Sequence, residues 1–267
     1  MTDSSQHDAW SAGDSYEYYM GRWSREIARK FVTWLDLSAD LDWMDIGCGT
    51  RALAGTILVR CAPRSVLGID PSAGFVEHAR ASLGDAKARF EVAAAEALPC
   101  TERSIDVVTS ALASNFVPDR PRALAEMRRV VRHDGTLSFY VWDYPGGGMG
   151  FISAFWKAAV ALDPSATALA EDSRFPFCTR DALLGEAAAA GFVDPVVESI
   201  EVPTCFASFD AFWHPFTLGA GPAPGYCTSL TEDARLALKQ KLMDDLGGDD
   251  GAIELPARAW AVKGSAA

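Results

Sequence analysis

At 267 residues, with 49% apolar and 22% charged side chains, the chain can bury a sizeable core and has the make-up of an ordinary globular protein. Its 24 basic and 36 acidic side chains leave a net charge of −12, which repels polyanions, so nucleic acid and anionic membrane surfaces are not expected as substrates. Met1 to Asp8 is polar and acidic with no apolar stretch of signal-peptide length after it, and no apolar run reaches spanning length; the expectation is a cytoplasmic protein. Six cysteines stand scattered, without C-x-x-C pairs or histidines at zinc spacing, so they read as reduced thiols and no metal site is expected.

Residues 1–15 read as a mobile start. From Ser24 to Leu35 the apolar residues Ile27, Ala28, Phe31, Val32 and Leu35 recur at helical spacing, which predicts a first helix or lid. Strands are predicted at 41–46, 65–69, 88–92, 105–110 and 135–142, with helices near 51–61, 71–83 and 119–132 between them. That alternation means a parallel sheet. Pro145 to Gly148 breaks the pattern, and Phe151 to Leu162 follows as a helix with large apolar residues. Asp181 to Gly191 reads as a helix with a glycine stop and Val196 to Phe206 as a strand. Phe209 to Leu218 and Thr231 to Leu246 then interpose helices before a last strand at Ala257 to Lys263, so the hairpin joining the last two strands carries an insertion.

The chemistry concentrates in Asp45-Ile46-Gly47-Cys48-Gly49-Thr50, set between the first strand and a helix start. Gly47 and Gly49 allow positive φ and a close approach of backbone to ligand, while the N–H groups of the helix start face outward as donors. Gly47-x-Gly49-x-x-Ala52 also fits the dinucleotide fingerprint, so this turn alone leaves the cofactor open. Asp70 ends the second strand, and the βαβ geometry brings it beside the glycine turn, where a carboxylate can accept both hydroxyls of a ribose.

The order of the motifs that follow separates the two cofactors. Val92-Ala93-Ala94-Ala95-Glu96-Ala97-Leu98-Pro99, then Ser104 to Ser110, then Leu124 to Leu137 resemble the class I S-adenosylmethionine-dependent methyltransferases, within the group related to the ubiquinone and menaquinone methyltransferases. The resemblance is good over residues 41–142 and looser outside them. It implies a Rossmann-like α/β fold: seven mostly parallel strands, helices on both faces, an N-terminal lid helix and a helical insertion before the last strand. It also implies a single domain over 1–267, with lid and first helix at 1–40, a cofactor-binding core at 41–142, and helical cover over an acceptor pocket at 143–180 and 207–250. Two positions depart from the family pattern: Arg51 stands where glycine is usual, and Ala94 where an aspartate usually meets the adenine amine.

By the resemblance, S-adenosylmethionine is the cofactor, held by Arg22, Asp45, Gly47, Cys48, Gly49, Asp70, Pro71, Ala95, Glu96 and Ser110. Arg51 either pairs with the cofactor carboxylate or crowds the site, and Arg22 either reaches that carboxylate or stacks on an aromatic ring. Asn115, Phe116, Trp142 and Trp213 are expected around the acceptor. No catalytic residue is assigned; His214, Asp143 and Tyr144 are the candidates for orienting or deprotonating an acceptor. The aromatic residues Phe151, Phe155, Trp156, Phe206, Phe209, Phe212, Trp213 and Phe216 point either to an apolar or aromatic small-molecule acceptor or to a core under the insertion. The expected function is methyl transfer by in-line displacement to a small molecule, in a monomer or homodimer. A non-catalytic protein of the same fold, or a nicotinamide-dependent oxidoreductase, are the alternatives.

Overall fold

The computed structural model describes residues 17–219, 221–248 and 251–267, so the expectation for residues 1–15 lies outside the described residues. Seven strands form one sheet: β1 Asp42–Ile46, β2 Ser65–Asp70, β3 Ala88–Val92, β4 Ile105–Ala111, β5 Val131–Trp142, β6 Val193–Phe206 and β7 Ile253–Ser265. Their order is β3-β2-β1-β4-β5-β7-β6, with β1 to β5 parallel and β7 antiparallel to β5. The order reverses beside β1, and a doubly wound sheet of this kind opens its ligand crevice at the carboxyl ends of the strands there.

The helices follow the predicted plan with local differences. Helix α1 (Arg22–Leu35) buries Ile27, Ala28, Phe31 and Leu35, the stripe read from the sequence. Helices α2 (Ala52–Arg60), α3 (Ala73–Ser82) and α4 (Arg120–Val130) link the parallel strands. The Ser72 hydroxyl caps α3 by accepting from Phe75 N, and Asp119 caps α4 by accepting from Arg122 N. Beyond β5 come α5 (Gly150–Leu162), α6 (Glu171–Arg174), α7 (Arg180–Ala189), α8 (Phe209–Trp213), α9 (Pro222–Ser229) and α10 (Glu232–Asp245). Helices α8 to α10 are the insertion between β6 and β7.

Two boundaries differ instructively. Helix α4 stops at Val130 and β5 starts at Val131, before the expected 135, because Val131 pairs with Ile105 ahead of an irregularity that realigns Val107 with Thr136. Asp134 takes φ 58° there, and a Cβ on Gly135 would lie 2.8 Å from the carbonyl oxygen of Asp106, so the Asp134-Gly135 turn sits inside the strand as a bulge. The helix expected over Phe209 to Leu218 changes at His214 into a 3-10 segment carrying Pro215, whose ring cannot continue an α-helix.

The chain gathers into two compact units. The first comprises Ser24–Trp142, Phe177–Ile200 and Ala259–Ala267, and holds the parallel strands. The second comprises the described part of Met1–Trp23, with Asp143–Pro176 and Glu201–Arg258. Its core is aromatic. Phe155 stacks on Phe216 at 4.5 Å, Trp23 lies 5.0 Å from Phe151 and 5.1 Å from Phe206, and Phe206 meets Phe212 edge to face at 5.2 Å. Most of the aromatic residues from the sequence reading are therefore spent on one another. No helix among the described residues is long and apolar enough to cross a membrane.

Candidate active site

The glycine turn is tied down from below. Gly47 N and Cys48 N both donate to Ile69 O, at 2.8 and 2.9 Å, which binds the end of β1 to the end of β2. Gly47 takes φ 71°, and a Cβ placed on it would lie 2.3 Å from the Cβ of Ala113 in the segment after β4. Only glycine permits both this conformation and this approach. Cys48 fills a buried niche, where burial and the nearby Asp45 and Asp70 carboxylates push its thiol far up and leave it inert.

Asp70 closes the turn through both oxygens. Oδ2 accepts from Gly49 N at 3.0 Å and Oδ1 from Ser72 N at 2.9 Å. Burial raises its pKa, and these two N–H groups act against the rise. Each oxygen keeps a second acceptor direction, as the ribose role requires. Pro71 is exposed next to it.

Asp45 is fully buried at the end of β1. Its Oδ2 accepts from Ala54 N at 3.0 Å in the first turn of α2, and so supplies the cap that the residue before that helix, Arg51, does not. Its Oδ1 has no hydrogen-bond partner among the described residues. Burial pushes its pKa up to about 8, the Ala54 N–H opposing the rise and Asp70 adding to it.

Arg51 itself takes φ 71°, the left-handed conformation that explains why glycine suits this position. Its Nε donates to Ser82 Oγ at 2.7 Å at the end of α3. Ala94 is exposed beside the buried Ala95. The loop carrying Ala95 and Glu96 is held by residues that the sequence reading quoted in a helix motif without assigning a role. Glu126 Oε2 accepts from Leu98 N at 2.8 Å, while Arg129 donates to Leu98 O at 3.0 Å and Cys100 O at 2.7 Å. The Arg129 guanidinium, hydrogen-bonded to Glu126, holds that carboxyl below its usual range. Glu96 accepts from Asp119 N through its side chain and from Arg122 Nε through its carbonyl.

Ser110 at the end of β4 and Asn115 just after it are buried, and Ser110 Oγ, Ser114 Oγ and Asn115 Nδ2 lack partners among the described residues. Ser110 and Ser114 border a cavity of about 20 Å3, closed by Ile46, Ala95, Met127 and Phe139. Buried polar groups are normally paired, so unpaired ones gathered at the carboxyl ends of β1 and β4 fit a polar ligand entering there. A larger groove, about 660 Å3, lies by Arg103 and Val131 at the amino ends of β4 and β5, away from the glycine turn, Asp45 and Asp70.

The first unit thus holds Asp45, Gly47, Cys48, Gly49, Asp70, Pro71, Ala95, Glu96, Ser110, Asn115, Phe116 and Trp142, while Arg22, Asp143, Tyr144, Trp213 and His214 fall in the second. Arg22 stacks on Trp23 at 4.0 Å and Phe206 at 5.0 Å, the stacking alternative for that side chain. Asp143 accepts from Arg258 Nε at 2.7 Å and from Gly146 N at 2.9 Å, so its carboxylate pins the Pro145–Gly148 turn. His214 is exposed, with its carbonyl accepting from Thr217 Oγ1, and Tyr144 packs on Phe175.

Residues 44–139, from β1 into β5, match the family described as methyltransferase domain. Over this stretch the chain is similar to methyltransferase domains. The chain is 31% identical over 173 residues to a malonyl-[acyl-carrier protein] O-methyltransferase of Geobacter sulfurreducens, covering 64% of this chain and 60% of that protein. It is 28% identical over 137 residues to the ubiquinone/menaquinone biosynthesis C-methyltransferase UbiE of Campylobacter jejuni, covering 49% of this chain and 57% of that one. The chain therefore spans less than two thirds of these relatives. Among solved structures, the YcgJ protein of Bacillus subtilis matches at TM-score 0.57 and 17% identity, covering 90% of this chain and 98% of that one. A Haemonchus contortus phosphoethanolamine N-methyltransferase in complex with S-adenosylhomocysteine matches at 0.58 and 16%, covering 97% of this chain and 58% of that one. These structures share the methyltransferase fold, and the glycine turn and the two buried carboxylates lie inside the matched domain.

Proposed function

We propose that this chain is an S-adenosylmethionine-dependent methyltransferase acting on a small molecule. The observation that carries the reading is the pair of buried carboxylates flanking the glycine turn inside the matched domain, with Asp45 Oδ1 unpartnered among the described residues. When bound, the cofactor supplies a methyl group on a sulfonium, a centre open to in-line displacement. The protein's work is to align donor and acceptor and to exclude water. In this proposal Asp70 accepts the ribose hydroxyls through the free lone pairs of Oδ1 and Oδ2. Asp45, whose pKa burial raises, would hold the cationic amine of the cofactor at Oδ1, and that positive charge would favour its ionised form, the proton passing to solvent. Ala95, Glu96 and Leu98 hold the adenine through backbone groups and packing, on a loop fixed by Glu126 and Arg129.

We propose an apolar small-molecule acceptor, a reading supported by Phe116 in the 3-10 segment after β4 and Trp142 at the end of β5. The relatives named above act on oxygen, carbon and nitrogen acceptors, so similarity leaves the methylated atom open. No general base is assigned, since Asp143 is held by Arg258 and His214 is exposed. Calorimetric titration with S-adenosylmethionine, S-adenosylhomocysteine and NAD tests the reading. Micromolar binding of the first two without the third is expected, followed by transfer of labelled methyl in an acceptor screen. Binding of NAD alone, or of none of the three by folded protein, overturns it.

A further inference from the structure

Three side chains lie in register across the centre of the sheet: Asp45 on β1 pairs with Thr109 on β4, and Thr109 with Ser138 on β5. Residues in register in a parallel sheet point to the same face. All three are fully buried, and each carries a polar atom without a hydrogen-bond partner among the described residues: Asp45 Oδ1, Thr109 Oγ1 and Ser138 Oγ. The row is bounded on one side by Gly68, the partner of Asp45 on β2, which has no side chain. On the other side Ser138 pairs with Lys263, whose Nζ turns away to Trp34 O, at 2.9 Å, at the end of α1. Three polar groups in a line, in a core this apolar, call for an explanation: a buried hydroxyl without a partner costs about 1–3 kcal/mol.

We propose that Thr109 and Ser138 are positioning residues for Asp45, forming a water-bridged hydroxyl row that fixes its free oxygen and stabilises its ionised form. Neighbouring strands lie about 4.8 Å apart, a gap that one water crosses with two hydrogen bonds. A hydroxyl is suited to this place because it donates toward the carboxylate and accepts from the next group along the row. The surroundings offer little else. Asp70 and Cys48 are the titratable groups facing Asp45 from β2 and the turn; Asp70 disfavours its charge, and the Cys48 thiol, pushed far up by burial, stays neutral and brings no charge. The face that α2 buries is Leu53, Ala54, Thr56 and Ile57, and that of α1 includes Ile27, Ala28 and Phe31, so neither helix brings a charge to the row. With the Ala54 N–H already spent on Oδ2, the row is the counterweight to burial within reach of Oδ1, and it tunes the pH at which Asp45 can meet a cationic ligand. The functional half of this inference rests on the methyltransferase reading; the ionisation half does not.

Two readouts keep them apart. The first is the unfolding temperature of the ligand-free protein from pH 4 to 10, for wild type and for Thr109→Val, Thr109→Ser and Ser138→Ala, each also in an Asp45→Asn background. Thr109→Val is expected to move the Asp45-dependent midpoint up by about one pH unit, Thr109→Ser to leave it in place, and Ser138→Ala to move it less. None should alter the profile once Asp45 is Asn. If Thr109→Val misfolds, Ser138→Ala still reads the row. The second is S-adenosylhomocysteine affinity against pH, where Thr109→Val is expected to lose about tenfold at pH 7 and to recover at higher pH. A wild-type midpoint in both Thr109→Val and Ser138→Ala, or the same shift in the Asp45→Asn background, overturns the inference. Failure of wild type to bind S-adenosylhomocysteine would strike the methyltransferase reading and leave the first readout standing.

Discussion

The glycine-turn edge of the parallel sheet and the aromatic core of the second unit are both buried, yet they are buried differently. At the sheet edge, Asp45 Oδ1, Ser110 Oγ and Asn115 Nδ2 sit out of water with no partner among the described residues. In the aromatic core, Phe155, Phe216, Phe206 and Phe151 meet ring to ring, and the Asp143 carboxylate there is matched by Arg258. One region is satisfied by its own neighbours and holds the chain together. The other, in the function proposed above, is completed by a polar ligand. Abundance of aromatic residues is thus a poor guide to a pocket here, and unpaired buried polar atoms are a better one.

The contrast can be broken at either end. Phe155→Ala should cost about 3–5 kcal/mol of stability in a denaturant titration, while the affinity of the remaining folded protein for S-adenosylhomocysteine stays within a few-fold of wild type. A large loss of affinity in that variant would mean that the aromatic core is part of the ligand site. Gly47→Ala should do the reverse in emphasis: strain at φ 71° and the clash with Ala113 cost about 2–4 kcal/mol, and binding measured by calorimetry falls below detection.

Asp45 gives a pH test with a definite sign. Its pKa rises from the ordinary 3.8 to about 8 on folding, so the folded state holds the proton more tightly than the unfolded chain. Stability contributed by the protonated carboxyl is therefore lost as pH climbs between those two values. Subtracting the Tm profile of Asp45→Asn from that of wild type should show this downward slope; a flat difference would mean that Asp45 is ionised throughout. A smaller effect is expected from Glu126→Gln, which weakens the hold of Arg129 and Glu126 on the loop at Leu98 and should reduce S-adenosylhomocysteine affinity about five- to tenfold. Smallest is Arg51→Gly. Relief of left-handed strain outweighs the entropy of glycine only slightly, so stability should rise by less than about 1 kcal/mol with affinity unchanged, whereas an Arg51 that met the cofactor would lose affinity.

The sequence made the parallel strands and their order of motifs legible because hydrophobic alternation and glycine punctuation are local signals. The places of Asp45 and Asp70 at strand ends and of Gly47 in the turn were legible for the same reason. The bulge at Asp134-Gly135 was not, since it depends on the pairing of Val131 with Ile105 across the sheet. Nor were Glu126 and Arg129, which reach back from α4 to a loop some thirty residues earlier in the chain. Asp143 looked free to orient an acceptor because its partner, Arg258, is distant in sequence. The row from Asp45 to Ser138 is invisible in one dimension, since register alone joins it.

The central claim is that a polar ligand completes the carboxyl edge of β1, β2 and β4. Amide hydrogen exchange with and without S-adenosylhomocysteine tests it most directly. Added protection at Gly49, Ser72, Ala95 to Leu98 and Leu112 to Asn115 is the predicted result. Protection confined to residues 151–156 and 209–216, with the glycine turn unchanged, would contradict it.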